Sequence, residues 1–201
     1  MFEKETSKSN LLPRDGEAEY FGMLIDEAGS GIYFEKLLAE IAWQHDEVII
    51  FEKHIMTKRK TAWYGDKAFT YSYSGTAKTA LPWTTELLEL KALIEKISGE
   101  HFNSCLLNLY HDGSEGMSWH SDDEKTIVKN SAIASMSLGA ERKFSFRHKQ
   151  TKETSSLVLE NGSLLVMKAA TQHHWQHSLP KTVKITGKRI NLTFRKFVEE
   201  S

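Results

Sequence analysis

The hydrophobic positions along this chain change period near residue 100. Before that point two stretches repeat every three to four residues. In Ile32–Trp43 the stripe is Tyr33, Leu37, Leu38 and Ile41, and in Thr85–Ile97 it is Leu87, Leu90, Ile94 and Ile97, the spacing of amphipathic helices. Pro82 before the second stretch and Gly99 after it act as start and stop signals. From Asn103 the period falls to two, in short runs rich in Val, Ile, Leu, Phe and Thr at 103–110, 132–138, 142–148, 155–159, 163–168 and 188–197. Such runs, with Gly, Asn and Ser between them, predict a β-sandwich or jelly-roll barrel. Glu160-Asn161-Gly162-Ser163 reads as a tight hairpin turn between two of them. Residues 1–30 are polar and punctuated by Pro13, Gly16, Gly22 and Gly29, which predicts an irregular N-terminal arm, with residues 31–201 as one domain. The expected fold is mainly β with flanking helices.

Composition narrows the class. With 201 residues, 40% of them hydrophobic and only 3 Pro, the chain is expected to fold around one core rather than remain disordered. No apolar run approaches the roughly 18 residues that span a bilayer. Met1-Phe2-Glu3-Lys4-Glu5 lacks the basic-then-apolar layout of a secretory signal. The expectation is a soluble monomer without membrane contact, in the cytoplasm or in the nucleus of a eukaryote. The single cysteine, Cys105, excludes an internal disulfide and reads as a buried small hydrophobe. Net charge is -1, but residues 1–50 hold 11 acids and 4 bases, net -7, which leaves +6 for residues 51–201. An anionic partner therefore fits the larger part.

Among the 9 histidines, His120 stands out because Asp122 lies two residues on. In an extended segment the two side chains project to one side, where an imidazole and a carboxylate can meet one metal ion. Downstream, His173, His174 and His177 compete for the place of third ligand. Two histidines and one carboxylate with open positions form the facial triad of non-heme Fe(II) oxygenases. The last strand alternates strictly, with Ile190, Leu192 and Phe194 facing one way and Arg189, Asn191, Thr193 and Arg195 the other. That polar row is either a solvated outer face or the lining of a barrel, where buried guanidiniums need anionic partners. Asn108 and Tyr110 form a matching pair on another strand. Two arginines with Asn and Tyr donors make a receptor for a small dicarboxylate, and beside a metal triad that points to 2-oxoglutarate.

Asn108-x-Tyr110, His120-x-Asp122, His177 and Arg189-x-Asn191-x3-Arg195, in this order, resemble the signature of the AlkB family of Fe(II)/2-oxoglutarate dioxygenases, over residues 47–197. The family's distal histidine lies in a segment similar to His174-Trp175-Gln176-His177-Ser178-Leu179-Pro180, so the resemblance implies His177 as the third ligand, with His173 and His174 as neighbours shaping the strand. It further implies a double-stranded β-helix, or jelly roll, that binds Fe(II) through His120, Asp122 and His177. Arg189 and Tyr110 would hold the distal carboxylate of 2-oxoglutarate, with Asn108 and Arg195 nearer its keto-acid end and Asn191 also among the cosubstrate-binding residues. The implied reaction uses O2 to hydroxylate an alkyl group on a nucleobase, and the product collapses to an aldehyde and the restored base.

The substrate side is read from residues 47–75, which are similar to the family's nucleotide-recognition lid. Ile50–Lys60 carries four bases against one acid and runs into aromatic residues, a mixture suited to phosphate contact and base stacking. The resemblance implies Tyr73 stacked on a flipped base, Tyr71 beside it, and Glu124 with Asp123 at the base edge. It is strongest to the branch acting on duplex DNA, in which Phe51 would fill the gap left by the base and Arg59 in a basic loop would grip phosphate. Arg142, Lys143, Arg147, Lys149, Lys152, Lys181 and Lys184 either hold the nucleic-acid backbone or are solvated surface. The expected partner is alkylated DNA of the 1-methyladenine and 3-methylcytosine type. The alternatives are the same chemistry on RNA or protein, and a non-catalytic barrel that binds metal and nucleic acid.

Overall fold

A computed structural model describes residues 10–50, 53–73 and 76–198, the side chains of 46–50, 53–55, 71–73 and 76–78 excepted. The elements run β1 (Glu17–Met23), α1 (Glu27–Glu40), β2 (Gln44–Ile50), β3 (Lys53–Gly65), β4 (Thr70–Tyr73), β5 (Thr76–Thr79), α2 (Thr85–Ser98), β6 (Ser104–Tyr110), β7 (Met117–His120), β8 (Ile133–Gly139), β9 (Arg142–His148), β10 (Thr154–Leu159), β11 (Ser163–Lys168), α3 (Thr171–His174), β12 (Trp175–Leu179) and β13 (Arg189–Arg195). A seven-stranded sheet, β1-β11-β8-β13-β6-β3-β2, faces a four-stranded one, β10-β9-β12-β7, and β4 pairs with β5 in a separate ribbon. All these pairings are antiparallel. This is the jelly roll that the short period-two runs predicted.

The large sheet is buried on both faces. Ile190, Leu192 and Phe194 of β13, Cys105, Leu107 and Leu109 of β6, and Met136 and Leu138 of β8 form one core with Leu37 of α1 and Leu87, Leu90 and Ile94 of α2. The opposite face meets the small sheet through Tyr110, Ile133, Phe144, Phe146, Leu165 and Trp175. Because the helices cover the apolar row of β13, its polar row turns inward, between the sheets. The alternative of a solvated outer face is thereby excluded: Arg189, Asn191 and Thr193 are buried.

Several expectations are corrected. Residues 17–23 of the predicted irregular arm form β1, registered against β11 from Glu17↔Lys168 to Met23↔Ser163. Pairing with a distant strand supplies the order that the local glycines and acids do not signal. The first helix begins five residues earlier than predicted, because Asp26 caps it by accepting from Gly29 N at 2.8 Å, so it crosses the expected boundary at residue 30. The Asn161-Gly162 turn forms, with Gly162 at φ 74° and space for a Cβ blocked by Ile25 O at 2.2 Å. It links strands of different sheets, however, and is not a hairpin: Gly162 N donates to Ser137 O, and Leu24 N to Gly162 O, both at 2.8 Å. The expected basic loop after Phe51 is strand from Lys53 onward, paired with β2. His173 and His174 belong to the helical turn α3 and not to a strand.

Candidate active site

The cavity between the sheets holds about 60 Å3, several times the ~10–15 Å3 that one water requires. Its floor is the inward row of β13 with Asn108 and Tyr110 of β6 and Ser135 of β8, and its wall is β7 and β12 of the small sheet. Strand register explains the grouping. Arg189 lies opposite Tyr110, and Asn191 opposite Asn108, while His177 lies opposite His120.

At the wall, the His120 and His177 rings have centroids 4.3 Å apart, and His120 Nε2 is 3.7 Å from Asp122 Oδ1. The ligand atoms of His120, Asp122 and His177 all lie within 4.8 Å of one another. His120 Nδ1 is 2.8 Å from Ser118 O. A carbonyl only accepts, so the ring proton sits on Nδ1 and Nε2 presents its lone pair to the group. Asp122 is anchored through its amide, which donates to Gln172 Oε1 at 2.9 Å. Its Oδ2 accepts from Arg195 Nη2 at 2.7 Å and Nε at 3.2 Å. Burial raises the Asp122 carboxyl, but the Arg195 guanidinium beside it outweighs burial and brings the pKa down to about 2. Burial pushes His177 down to about 3 against the pull of Asp122, so the imidazole is neutral and able to donate a lone pair. Burial also opposes the charge on Arg195, yet Asp122 holds its pKa above the ordinary value. Two imidazoles and one carboxylate are the donor set of an Fe(II) facial triad, and these residues fit that ion.

At the floor, Arg189 Nη2 donates to Ser137 Oγ at 2.9 Å and its Cζ lies 5.5 Å over the Tyr110 ring. Among the described residues, Arg189 Nε and Asn108 Oδ1 are buried without a hydrogen-bond partner. Native interiors seldom leave such groups unmet except where a ligand arrives. A buried guanidinium beside an unmet amide, with a metal triad on the opposite wall, fits a chelating keto acid that carries a second carboxylate, which is 2-oxoglutarate.

The structure gathers every sequence-predicted residue of this inner site: His120, Asp122, His177, Asn108, Tyr110, Arg189, Asn191 and Arg195 all line the cavity. Two have duties the sequence did not suggest. Arg195 is spent on Asp122, and Asn191 is locked into the floor, with Nδ2 donating to Ser135 Oγ at 2.8 Å and Oδ1 accepting from Thr193 Oγ1 at 3.0 Å. Ser135, Ser137 and Thr193 were missed as site residues. Their signal was the small-polar alternation Ala134-Ser135-Met136-Ser137, which mirrors that of β13.

The outer residues are less gathered. Arg59 Nη1 contacts Met117 Sδ at 3.3 Å, and Met117 lines the cavity. Asp123 is exposed and 3.6 Å from Lys149 Nζ, so it points to a surface partner. Glu124 is exposed beside it; partial desolvation, then the Asp122 charge, raises its carboxyl, against the pull of Arg195. Neither acid lines the cavity. Phe51 lies outside the described residues, as do the side chains of Tyr71 and Tyr73, whose backbone forms β4.

A second group with metal-ligand chemistry lies elsewhere, at Asp15, His148 and His174. There His148 Nδ1 accepts from Thr151 N at 3.1 Å, which places the ring proton on Nε2, 3.4 Å from Asp15 Oδ2. The nitrogen that would bind a metal carries the proton instead, near the Asp15 carboxylate but without a hydrogen-bond partner among the described residues.

A family model described as "2OG-Fe(II) oxygenase superfamily" matches residues 18–195. The chain is 39% identical over 174 residues to the DNA oxidative demethylase ALKBH2 of Mus musculus, covering 83% of this chain and 70% of that protein. It is 36% identical over 189 residues to the Homo sapiens protein of the same name, covering 89% and 72%. It is 39% identical over 171 residues to the Bos taurus alpha-ketoglutarate-dependent dioxygenase alkB homolog 3, covering 81% and 59%. The solved structure of OsALKBH1 superposes with a TM-score of 0.64 at 15% identity, covering 92% of this chain and 100% of that one, a likeness of fold. The family match, the relatives and the jelly roll agree: the chain belongs to the AlkB family, within the 2OG-Fe(II) oxygenase superfamily.

Proposed function

We propose that this protein removes alkyl groups oxidatively from N-alkylated bases in DNA, 1-methyladenine and 3-methylcytosine being the expected lesions, with Fe(II), 2-oxoglutarate and O2. The observation that carries the reading is one cavity lined by His120, Asp122 and His177 together with Arg189, whose Nε is buried without a hydrogen-bond partner among the described residues. Relatives at 36–39% identity that are named DNA oxidative demethylases support the substrate class. When bound, iron and 2-oxoglutarate supply the oxidising power.

The chain's own residues do the rest. His120, Asp122 and His177 would hold the Fe(II). Ser118 O and Arg195 fix the orientation of His120 and Asp122. Arg189 and Tyr110 orient the cosubstrate by its distal carboxylate, and the apolar lining, Phe144, Met167 and Leu179, excludes water from the reacting centre. Tyr73 stacks on the flipped base, with Tyr71 beside it and Glu124 at its edge, while Asp123 pairs with Lys149 at the surface. Phe51 fills the vacated gap in a duplex, and Arg59 contributes to the phosphate grip.

The test is mass analysis of a 1-methyladenine oligodeoxynucleotide incubated with protein, Fe(II), 2-oxoglutarate and air, with an RNA of the same sequence in parallel. Loss of one CH2 from the DNA with equimolar succinate is expected. Succinate formation with an unchanged base on DNA but not on RNA would move the substrate to RNA. For the outer residues, Phe51→Ala should slow repair of duplex and spare single strands, whereas an equal loss on both, with a lowered melting point, assigns Phe51 to the core.

A further inference from the structure

Arg142 opens β9, and its charge alone groups it with the basic surface residues. It is instead 2% exposed, one of the largest fully buried side chains. Its guanidinium donates to main-chain carbonyls: Nη2 to Glu115 O at 2.8 Å, Pro180 O at 2.9 Å and Gly113 O at 3.5 Å, and Nη1 to Asp112 O at 3.3 Å. All four acceptors are neutral, so the charge is solvated by peptide dipoles rather than by an acid.

Those carbonyls belong to the segments that set the inner site. Asp112–Glu115 joins β6, which carries Asn108 and Tyr110, to β7, which ends in His120, and Pro180 follows β12, which carries His177. The two segments meet backbone to backbone: a Cβ on Gly116 would lie 2.4 Å from Leu179 O, and one on Gly113 2.3 Å from Thr182 O. Inward, the Tyr110 ring has two guanidiniums near it, Arg142 Cζ at 5.9 Å and Arg189 Cζ at 5.5 Å from its centroid. Contact with both restrains the tilt of the ring, since movement away from either cation forfeits a cation–π contact.

Resting on the Fe(II)/2-oxoglutarate reading above, we propose that Arg142 is a positioning residue for the distal carboxylate of 2-oxoglutarate, acting through Tyr110 and Arg189 without touching the ligand. Two effects combine. The planar fork of Arg142 holds the β6–β7 link and the exit of β12 at a fixed spacing, which a flexible ammonium cannot reproduce. Its charge also adds to that of Arg189, whose pKa is brought down to about 10 by burial, eased by Tyr110 and lowered further by Arg142. An incoming carboxylate relieves both buried cations.

Arg142→Lys keeps the charge and loses the fork, and Arg142→Gln loses the charge. Both are titrated calorimetrically, loaded with Mn(II) and without O2, against 2-oxoglutarate and against 2-oxobutanoate, which has the same chelating end and no distal carboxylate. Affinity for 2-oxoglutarate should fall roughly 10- to 100-fold, the scale on which outer-shell partners act, while affinity for 2-oxobutanoate and for Mn(II) alone stays as in the wild type. Equal weakening of both keto acids, unchanged 2-oxoglutarate binding, or loss of cooperative melting in both variants would each overturn the proposal. Wild-type protein that binds neither keto acid would instead overturn the Fe(II)/2-oxoglutarate reading itself, before any variant is compared.

Discussion

Two clusters in this molecule are built from the same parts, two histidines and an aspartate with ligand atoms within 4.8 Å of one another. What separates them is the partner of one ring nitrogen. Ser118 O beside His120 Nδ1 can only accept, so Nε2 is left as a lone pair. Thr151 N beside His148 Nδ1 can only donate, so Nε2 carries the proton. The first arrangement offers a lone pair to a cation, and the second turns an N–H toward the side of Asp15. Residue type and proximity are therefore insufficient to define a metal site; the outer hydrogen bond fixes the tautomer and with it the function.

The largest effect that tests this contrast is on metal content. Alanine at His120, Asp122 or His177 should abolish turnover and leave dialysed protein without iron, whereas His148→Ala should keep one metal per chain. Iron lost from His148→Ala and retained by His177→Ala would reverse the assignment. Next comes the anion beside the first cluster: Arg189→Ala should cost about 2–5 kcal/mol in 2-oxoglutarate affinity, as when one member of a desolvated charge pair is removed, with metal content preserved. Unchanged affinity by titration would remove Arg189 from the clamp. A smaller effect is expected at the second cluster. Asp15 is half exposed, so Asp15→Ala should lower stability by only about 1 kcal/mol, read from the urea midpoint, with no change in bound iron. Smallest is Arg14→Ala, which deletes an ion pair of 3.1 Å to Glu153 with both side chains largely in solvent. At ~0.2–1 kcal/mol it should barely move the melting point, and a shift as large as that of Asp15→Ala would mean that the ion pair, and not His148, secures the arm.

The contrast also marks how far sequence carries. The pairing of His120 with Asp122 and the alternation of β13 were legible because each follows from a local period, whereas His177 was singled out from His173 and His174 only by the family resemblance; the register of β13 with β6 then places Arg189 opposite Tyr110. The direction of the polar row was not legible, since it depends on which face the helices cover. Arg142 and Arg147 look alike in sequence, yet the first is solvated by four carbonyls from distant segments and the second lies 4.4 Å over Trp119. β1 escaped notice for the same reason: its order is conferred by β11, not by its own residues.

That last pairing fixes a sequence of events during synthesis. β1 is an edge of the large sheet, and its partner ends at Lys168. At the usual ~5–20 residues per second, the segment emerges about 7 to 30 s before the strand that receives it, and Trp175, whose Nε1 later donates to Arg14 O at 2.9 Å, comes later still. A waiting strand is a template for unwanted partners. Glu17 and Glu19, in an N-terminal quarter of net charge -7, put like charges on that edge, a composition that opposes pairing with a second copy of itself.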